Sequence, residues 1–167
     1  MRPFYALWCN VCRTRPVAYK IVYVSGQTKR DSARGACFCE AVQYEIEMPT
    51  ELCVHCHCTM CRRAHGSGYT TWVLLPSKQL RIHAGRDKLT RYESSDHGSG
   101  DFCSVCGSEL FGWSTRTPEQ VGTPLGNLKG EIDRSPQAHV GFENRVPWIP
   151  VDDDLPRVTG VGDLETK

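Results

Sequence analysis

The chain has 167 residues, 40% of them hydrophobic and ten of them cysteine, with a formal net charge of +1. That length suits one domain with a real core rather than two, and the near-zero charge excludes a bulk attraction to nucleic acid or membranes. No window approaches the roughly 18 consecutive apolar residues of a membrane span, and the start shows no export signal. The sequence therefore points to the cytoplasm, a reducing compartment where clustered cysteines are metal ligands more often than bridges.

Residues 1–30 hold six basic residues and no acid, so the basic charge is a property of this segment. It contains Trp8-Cys9-Asn10-Val11-Cys12 and a β-prone run at 18–24. A lone C-x-x-C supplies at most half a zinc site, and the roles of Cys9 and Cys12 stay open. Residues 1–32 read as a basic, poorly ordered extension, residues 33–160 as the domain proper and 161–167 as a tail.

The domain begins at Gly35-Ala36-Cys37-Phe38-Cys39, followed by Val42–Met48, apolar at every second position and ended by Pro49. That alternation predicts a half-buried strand, and if Cys37 and Cys39 lie on it they share a face and form a ligand pair. Next comes Cys53-Val54-His55-Cys56-His57-Cys58-Thr59-Met60-Cys61, which holds four of the ten cysteines. In an extended chain Cys56 and Cys58 share one face, which Cys61 rejoins through a turn, while Cys53, His55 and His57 share the other. The two histidines read as supporting positions. Cys53 is either a small buried residue or, through a bulge, a fourth ligand.

Residues 62–68 read as a short polar or helical turn. Strands are expected at 69–75, 80–83 and 89–92, with His83 on a strand face, and residues 93–101 form a polar loop. Phe102-Cys103-Ser104-Val105-Cys106-Gly107 follows, a C-x-x-C-G whose glycine suits a tight turn aiming backbone N–H groups at thiolates. Cys37 and Cys39 are available as the other half of a four-cysteine site. A strand is expected at 108–113, a long Pro- and Gly-rich surface loop at 115–130, and closing strand segments at 130–133 and 137–142. With no heptad and no long amphipathic helix, the chain is mainly β.

Taken together, Gly35-x-Cys37-x-Cys39, Cys56-His57-Cys58-x-x-Cys61-Arg62, Phe102-Cys103-x-x-Cys106-Gly107-Ser108, Gly130-x-x-Asp133, Pro136-x-x-His139 and Trp148 with Leu155-Pro156 resemble the glutathione-dependent formaldehyde-activating enzyme and centromere protein V family. The resemblance covers roughly residues 33–160. It implies a β-tent of short antiparallel sheets built around a structural zinc on Cys37, Cys39, Cys103 and Cys106. It implies a second zinc, two ions per chain in all, on Cys56, Cys58 and Cys61 with one position open. Glu40 departs from the family's usual Gly after the second cysteine, and Gly100-Asp101 stand where a basic residue is common.

Three thiolates make a zinc a poor activator of water but a good holder of a thiol, which stays nucleophilic after losing its proton. The expected function is a carbon–sulfur lyase acting on glutathione–aldehyde adducts of the S-hydroxymethylglutathione type, the substrate thiol entering as fourth ligand. Arg62, Arg63 and Ser67 are the candidate substrate contacts. The alternative is a non-catalytic, zinc-stabilised binding module whose basic N-terminal tail meets an acidic partner.

Overall fold

The computed structural model describes residues 31–160, so the expectations for the N-terminal extension, including Cys9 and Cys12, and for the tail lie outside the described residues. Alternating apolar positions form a small antiparallel sheet. Its strands are β1 (Ser32–Ala36), β2 (Gln43–Glu47), β5 (Leu80–Ala84) and the two-residue β10 (Leu128–Lys129), in the order β10-β1-β2-β5. In β2, Tyr44 and Ile46 turn inward while Gln43, Glu45 and Glu47 face outward, as the period-two pattern requires. Gly35 sits opposite Tyr44, whose ring leaves no room for a Cβ there.

The second sheet has eight strands. It comprises β3 (Leu52–Cys56), β4 (Thr70–Pro76), β6 (Leu89–Glu93), β7 (Gly98–Cys103), β8 (Glu109–Ser114), β9 (Gln120–Pro124), β11 (His139–Val140) and β12 (Arg157–Val158), in the order β12-β11-β3-β4-β9-β8-β7-β6. All of its pairings are antiparallel except β3–β11 and β11–β12. One helix, α1 (Thr59–His65), follows β3 and ends at Gly66, whose φ of 58° is the left-handed conformation glycine favours at a helix end. The architecture is mainly β, as the sequence implies.

The main core lies between the sheets. Tyr44, Ile46 and Val42 of the small sheet and its turn meet Val73, Leu75, Leu110, Phe111 and Val121 of the large one. Tyr44 packs edge-on against Phe111 at 4.9 Å and satisfies its hydroxyl on Thr123 at 2.6 Å, so a buried polar tip is paired rather than stranded. A smaller cluster of Val54, Cys56, Trp72, Ala138 and Val140 lies under the partly buried Cys58 and Cys61.

Four expectations change. Cys37 and Cys39 lie in the turn after β1, not on a strand, and Glu40 makes that turn with φ of 59°. The expected loop at 93–101 ends in strand β7, where Asp101 is buried and accepts hydrogen bonds from Arg91 and from the Trp113 indole. Tertiary pairing on both sides overrides the poor strand propensity of Gly-Ser-Gly-Asp. The expected loop at 115–130 contains β9, four of whose five residues are buried between β4 and β8. Of the expected closing strands, only His139–Val140 forms one; residues 131–138 run without strand structure.

Candidate functional site

The two turns that carry the paired cysteines belong to different sheets. Cys37 and Cys39 come from the β1–β2 turn, Cys103 and Cys106 from the β7–β8 turn, and their four sulfurs lie within 4.8 Å of one another. The surrounding donors are already spent on them. Val42 N–H donates to Cys37 Sγ at 3.2 Å, and Ser108 Oγ sits 3.3 Å from Cys106 Sγ while accepting from Phe38 N–H at 3.0 Å. The Ser108 hydroxyl and backbone hold the Cys106 thiol at about 5, well below its ordinary range. Four converging sulfurs match the closed tetrahedral donor set of a structural metal site.

The second group lies at the start of α1. Cys56 ends β3, Cys58 is the N-cap of α1 and accepts from Cys61 N–H at 3.3 Å, and Cys61 lies in the first turn. Their sulfurs also lie within 4.8 Å of one another. The helix therefore performs the rejoining that the sequence assigned to a turn. Contacts from Cys56 and Cys61 drive the Cys58 thiol far below its usual range, and contacts from Cys56 and Cys58 drive Cys61 far above it. Three thiols this close share one negative charge among them, and a cation is what lets all three ionise. The set fits a soft divalent metal with one position left over. Cys53 does not join it: it is fully buried in the main core opposite Val73, and burial pushes its thiol up to about 11.

A strap from the C-terminal third holds this loop in place. Asp133 accepts from Thr50 N–H at 3.1 Å and from its hydroxyl at 2.7 Å, Arg134 donates to the carbonyls of Thr50 and Glu51, and Gln137 bonds both ways with the Cys53 backbone. His55 N–H and His57 N–H then donate to the carbonyls of Ala138 and Val140. The strap brings in His139, which the sequence left without a role. Its Nε2 faces the Asp153 carboxylate at 3.0 and 3.1 Å, and its Nδ1 lies 2.8 Å from His57 Nε2.

A carboxylate can only accept, so with both imidazoles neutral His139 donates from Nε2 and accepts at Nδ1, and His57 donates from Nε2. This leaves His57 Nδ1 as an acceptor, buried and without a partner. Burial first, then His139, His55, Arg62 and Arg145, hold the His57 imidazole down at about 4, so it is neutral.

Of the sequence-predicted substrate contacts, Arg62 donates from Nη1 to the Asn144 carbonyl and buries an unpartnered Nε, tying α1 to the C-terminal segment. Arg63 is exposed, and Ser67 donates its hydroxyl to the Tyr69 carbonyl at 2.8 Å. Five buried side-chain polar atoms among the described residues make no hydrogen bond. Four of them, on His57, Arg62, His65 and Thr70, belong to α1 or its flanks; His65 Nε2 has the Glu109 carboxylate 3.2 Å away, outside hydrogen-bond geometry. Such atoms are rare in folded proteins, and their concentration here marks the three-cysteine loop as the place where the fold leaves bonding capacity open.

The glutathione-dependent formaldehyde-activating enzyme family matches residues 32–144 of this chain. The chain belongs to that family. A Halomonas elongata protein that carries the provisional name glutathione-dependent formaldehyde-activating enzyme is 28% identical over 126 residues, which cover 71% of this chain and 80% of that protein. A Talaromyces marneffei protein with the same provisional name is 27% identical over 78 residues, 46% of this chain and 42% of that protein. The crystal structure of a Rhodobacter sphaeroides protein superimposes with a TM-score of 0.51 at 27% identity, covering 60% of this chain and 92% of that one.

Within the formaldehyde-activating family pattern, the two departures at Glu40 and Asp101 acquire structural readings. Glu40 adopts the left-handed backbone that a glycine takes without strain, and its carboxylate pairs with Lys129 at 2.7 Å. Asp101 is a buried anchor between Arg91 and Trp113 rather than a surface charge. Sequence reasoning noted His139 only in the motif Pro136-x-x-His139, without its contact to His57, and missed Asp153; His139 reaches the site through the parallel β3–β11 pairing and Asp153 through His139.

Proposed function

We propose that this chain is a zinc-dependent carbon–sulfur lyase that cleaves and re-forms glutathione–aldehyde adducts of the S-hydroxymethylglutathione type. The observation that carries the reading is the convergence of the Cys56, Cys58 and Cys61 sulfurs within 4.8 Å beside a shell of unpaired polar atoms. Membership of the formaldehyde-activating family supports the thiol and the aldehyde. Two zinc ions per chain are proposed, one on Cys37, Cys39, Cys103 and Cys106 and one on Cys56, Cys58 and Cys61. The second supplies a fourth position at which the substrate thiol is held deprotonated yet nucleophilic.

The chain's own residues do the rest. Arg62, fixed by Asn144, sets a positive field beside an anionic sulfur cluster, and the exposed Arg63 is free to meet a glutathione carboxylate. His57, oriented through His139 and Asp153, presents a neutral acceptor rather than a second positive charge. All eight described cysteines are free thiols, which suits the reducing cytoplasm where we place the protein. No helix among the described residues is long and apolar enough to cross a membrane. Metal analysis and glutathione titration of the wild type and Cys58→Ser test the proposal: the wild type is expected to hold two zinc ions and bind glutathione, and the variant to lose one ion and the binding. A wild type with one ion, or a variant that binds glutathione unchanged, overturns it.

A further inference from the structure

A cleft of about 350 Å³ opens beside the end of α1, between His65, Tyr69, Thr70 and the turn Pro124–Asn127. It adjoins the three-cysteine loop by two routes. Thr70 pairs with Cys56 across β3 and β4, and His65 lies four residues after Cys61, hence on the same helix face one turn on. His65 also packs edge-on against Trp72 at 5.5 Å, and Trp72 belongs to the cluster that underlies Cys56, Cys58 and Cys61.

The lining has a definite chemistry. It contains no Lys and no Arg, and its one titratable cation-former is His65. Thr70, only 6% exposed, has a hydroxyl with no hydrogen-bond partner, so a buried donor waits for an acceptor. Behind His65, Glu109 Oε2 lies 3.2 Å from Nε2, and both side chains are largely covered. Burial lowers the imidazole pKa and raises that of the carboxyl, so the charged pair is disfavoured. No other charged group lines the cleft from α1, β4 or the 124–127 turn.

Glutathione carries two carboxylates, and a cation-free cleft is the wrong receptor for them. A one-carbon aldehyde has two heavy atoms, whereas 350 Å³ is about ten water volumes and falls in the range of about 300–1,000 Å³ typical of small-molecule sites. We propose that this cleft is the subsite for the aldehyde-derived half of the adduct, that it takes neutral aldehydes of several carbons, and that His65 exchanges the proton of the adduct's hydroxyl. The assignment rests on the lyase reading above.

In cleavage, the hydroxyl proton of RS–CH(OH)R′ passes to His65, the C=O bond forms, and the C–S bond breaks with its electron pair staying on sulfur. In the reverse direction the thiolate sulfur adds to the carbonyl carbon and His65 returns the proton to the oxygen. No electrons are gained or lost overall. Thr70 donates to the oxygen in both directions, and the Glu109 carboxylate occupies the space 3.2 Å from Nε2, so exchange with the ligand falls to Nδ1.

The test separates binding from turnover. Butyramide, a neutral carbonyl compound that thiols do not attack, is titrated into the zinc-loaded full chain by NMR, with butyrate and glutathione in parallel. Millimolar butyramide is expected to shift the His65, Thr70 and Asn127 signals while butyrate leaves them in place. No response to butyramide, or an equal response to butyrate or glutathione, overturns the subsite. A Cβ on Gly126 meets nothing within 4 Å, so Gly126→Met fills the cleft without a backbone clash. It is expected to lower kcat/KM for butanal relative to formaldehyde about tenfold; an unchanged ratio counts against the subsite. His65→Gln is expected to lower kcat about a hundredfold with KM nearly constant, and an unchanged kcat overturns the proton role. Selective butyramide binding in a protein that turns over no aldehyde would sink the lyase reading and leave the neutral subsite standing.

Discussion

The two cysteine groups use the same atoms at the same spacing and differ in what surrounds them. The four-cysteine group joins turns of two different sheets, and its neighbouring backbone and hydroxyl donors are spent on sulfur or on one another. The three-cysteine group lies on one sheet and one helix, and the unpaired polar atoms gather around it. A fully satisfied shell makes a fastener; a shell with spare capacity makes a binding site. Cysteine sulfurs can thus converge on a closed site at one end of the fold and on a site with spare bonding capacity at the other.

The sharpest way to break this contrast is to remove one sulfur from each group. Cys103→Ser alters a fully buried residue at the junction of the sheets. A structural zinc site is worth about 10–16 kcal/mol against a total domain stability of about 5–15 kcal/mol. The variant is therefore expected to yield no cooperative unfolding transition in circular dichroism. Cys58→Ser should keep a cooperative transition while losing one metal equivalent, and a collapse of its fold would show that both groups are fasteners.

A smaller effect is expected from acid. His57 is neutral in the fold at about 4, against 6.5 for an ordinary histidine, and burial also lowers His55 and His65. Between these values the unfolded chain binds protons that the folded chain does not, so stability is full above pH 6.5 and falls as pH drops toward 4. Urea unfolding of the zinc-loaded protein at several pH values, with metal content followed in each sample, should show that slope, and His57→Gln should flatten it. The smallest effect concerns the fastener itself. Glu40→Gly relieves a left-handed backbone at a non-glycine residue and should raise Tm by a few degrees, even with the Lys129 pair lost; a lower Tm would mean that the ion pair outweighs the strain.

Much of this contrast is legible in the residues. β2 and β4 announce themselves by alternation and β-branched content, and the spacings of the seven cysteines already sort them into four and three. β7 and β9 are hidden because Gly-Ser-Gly-Asp and Val-Gly-Thr-Pro have weak strand propensity and become strands only when flanked on both sides. Cys37 and Cys39 converge through a left-handed turn that a glutamate gives no warning of. His139 and Asp153 lie far from the cysteines in sequence, and no local period links them to His57.

The parallel pairing of β3 with β11 has a further meaning for how the protein is made. His57 and His139 are 82 residues apart in sequence, and the bonds that fix the cysteine loop come from the same late segment. Contacts of such long range form slowly and only after the intervening chain is available. On a ribosome, the sulfurs of Cys56, Cys58 and Cys61 therefore emerge well before the segment that orders their loop. The loop is therefore ordered only after the strap around His139 has been made.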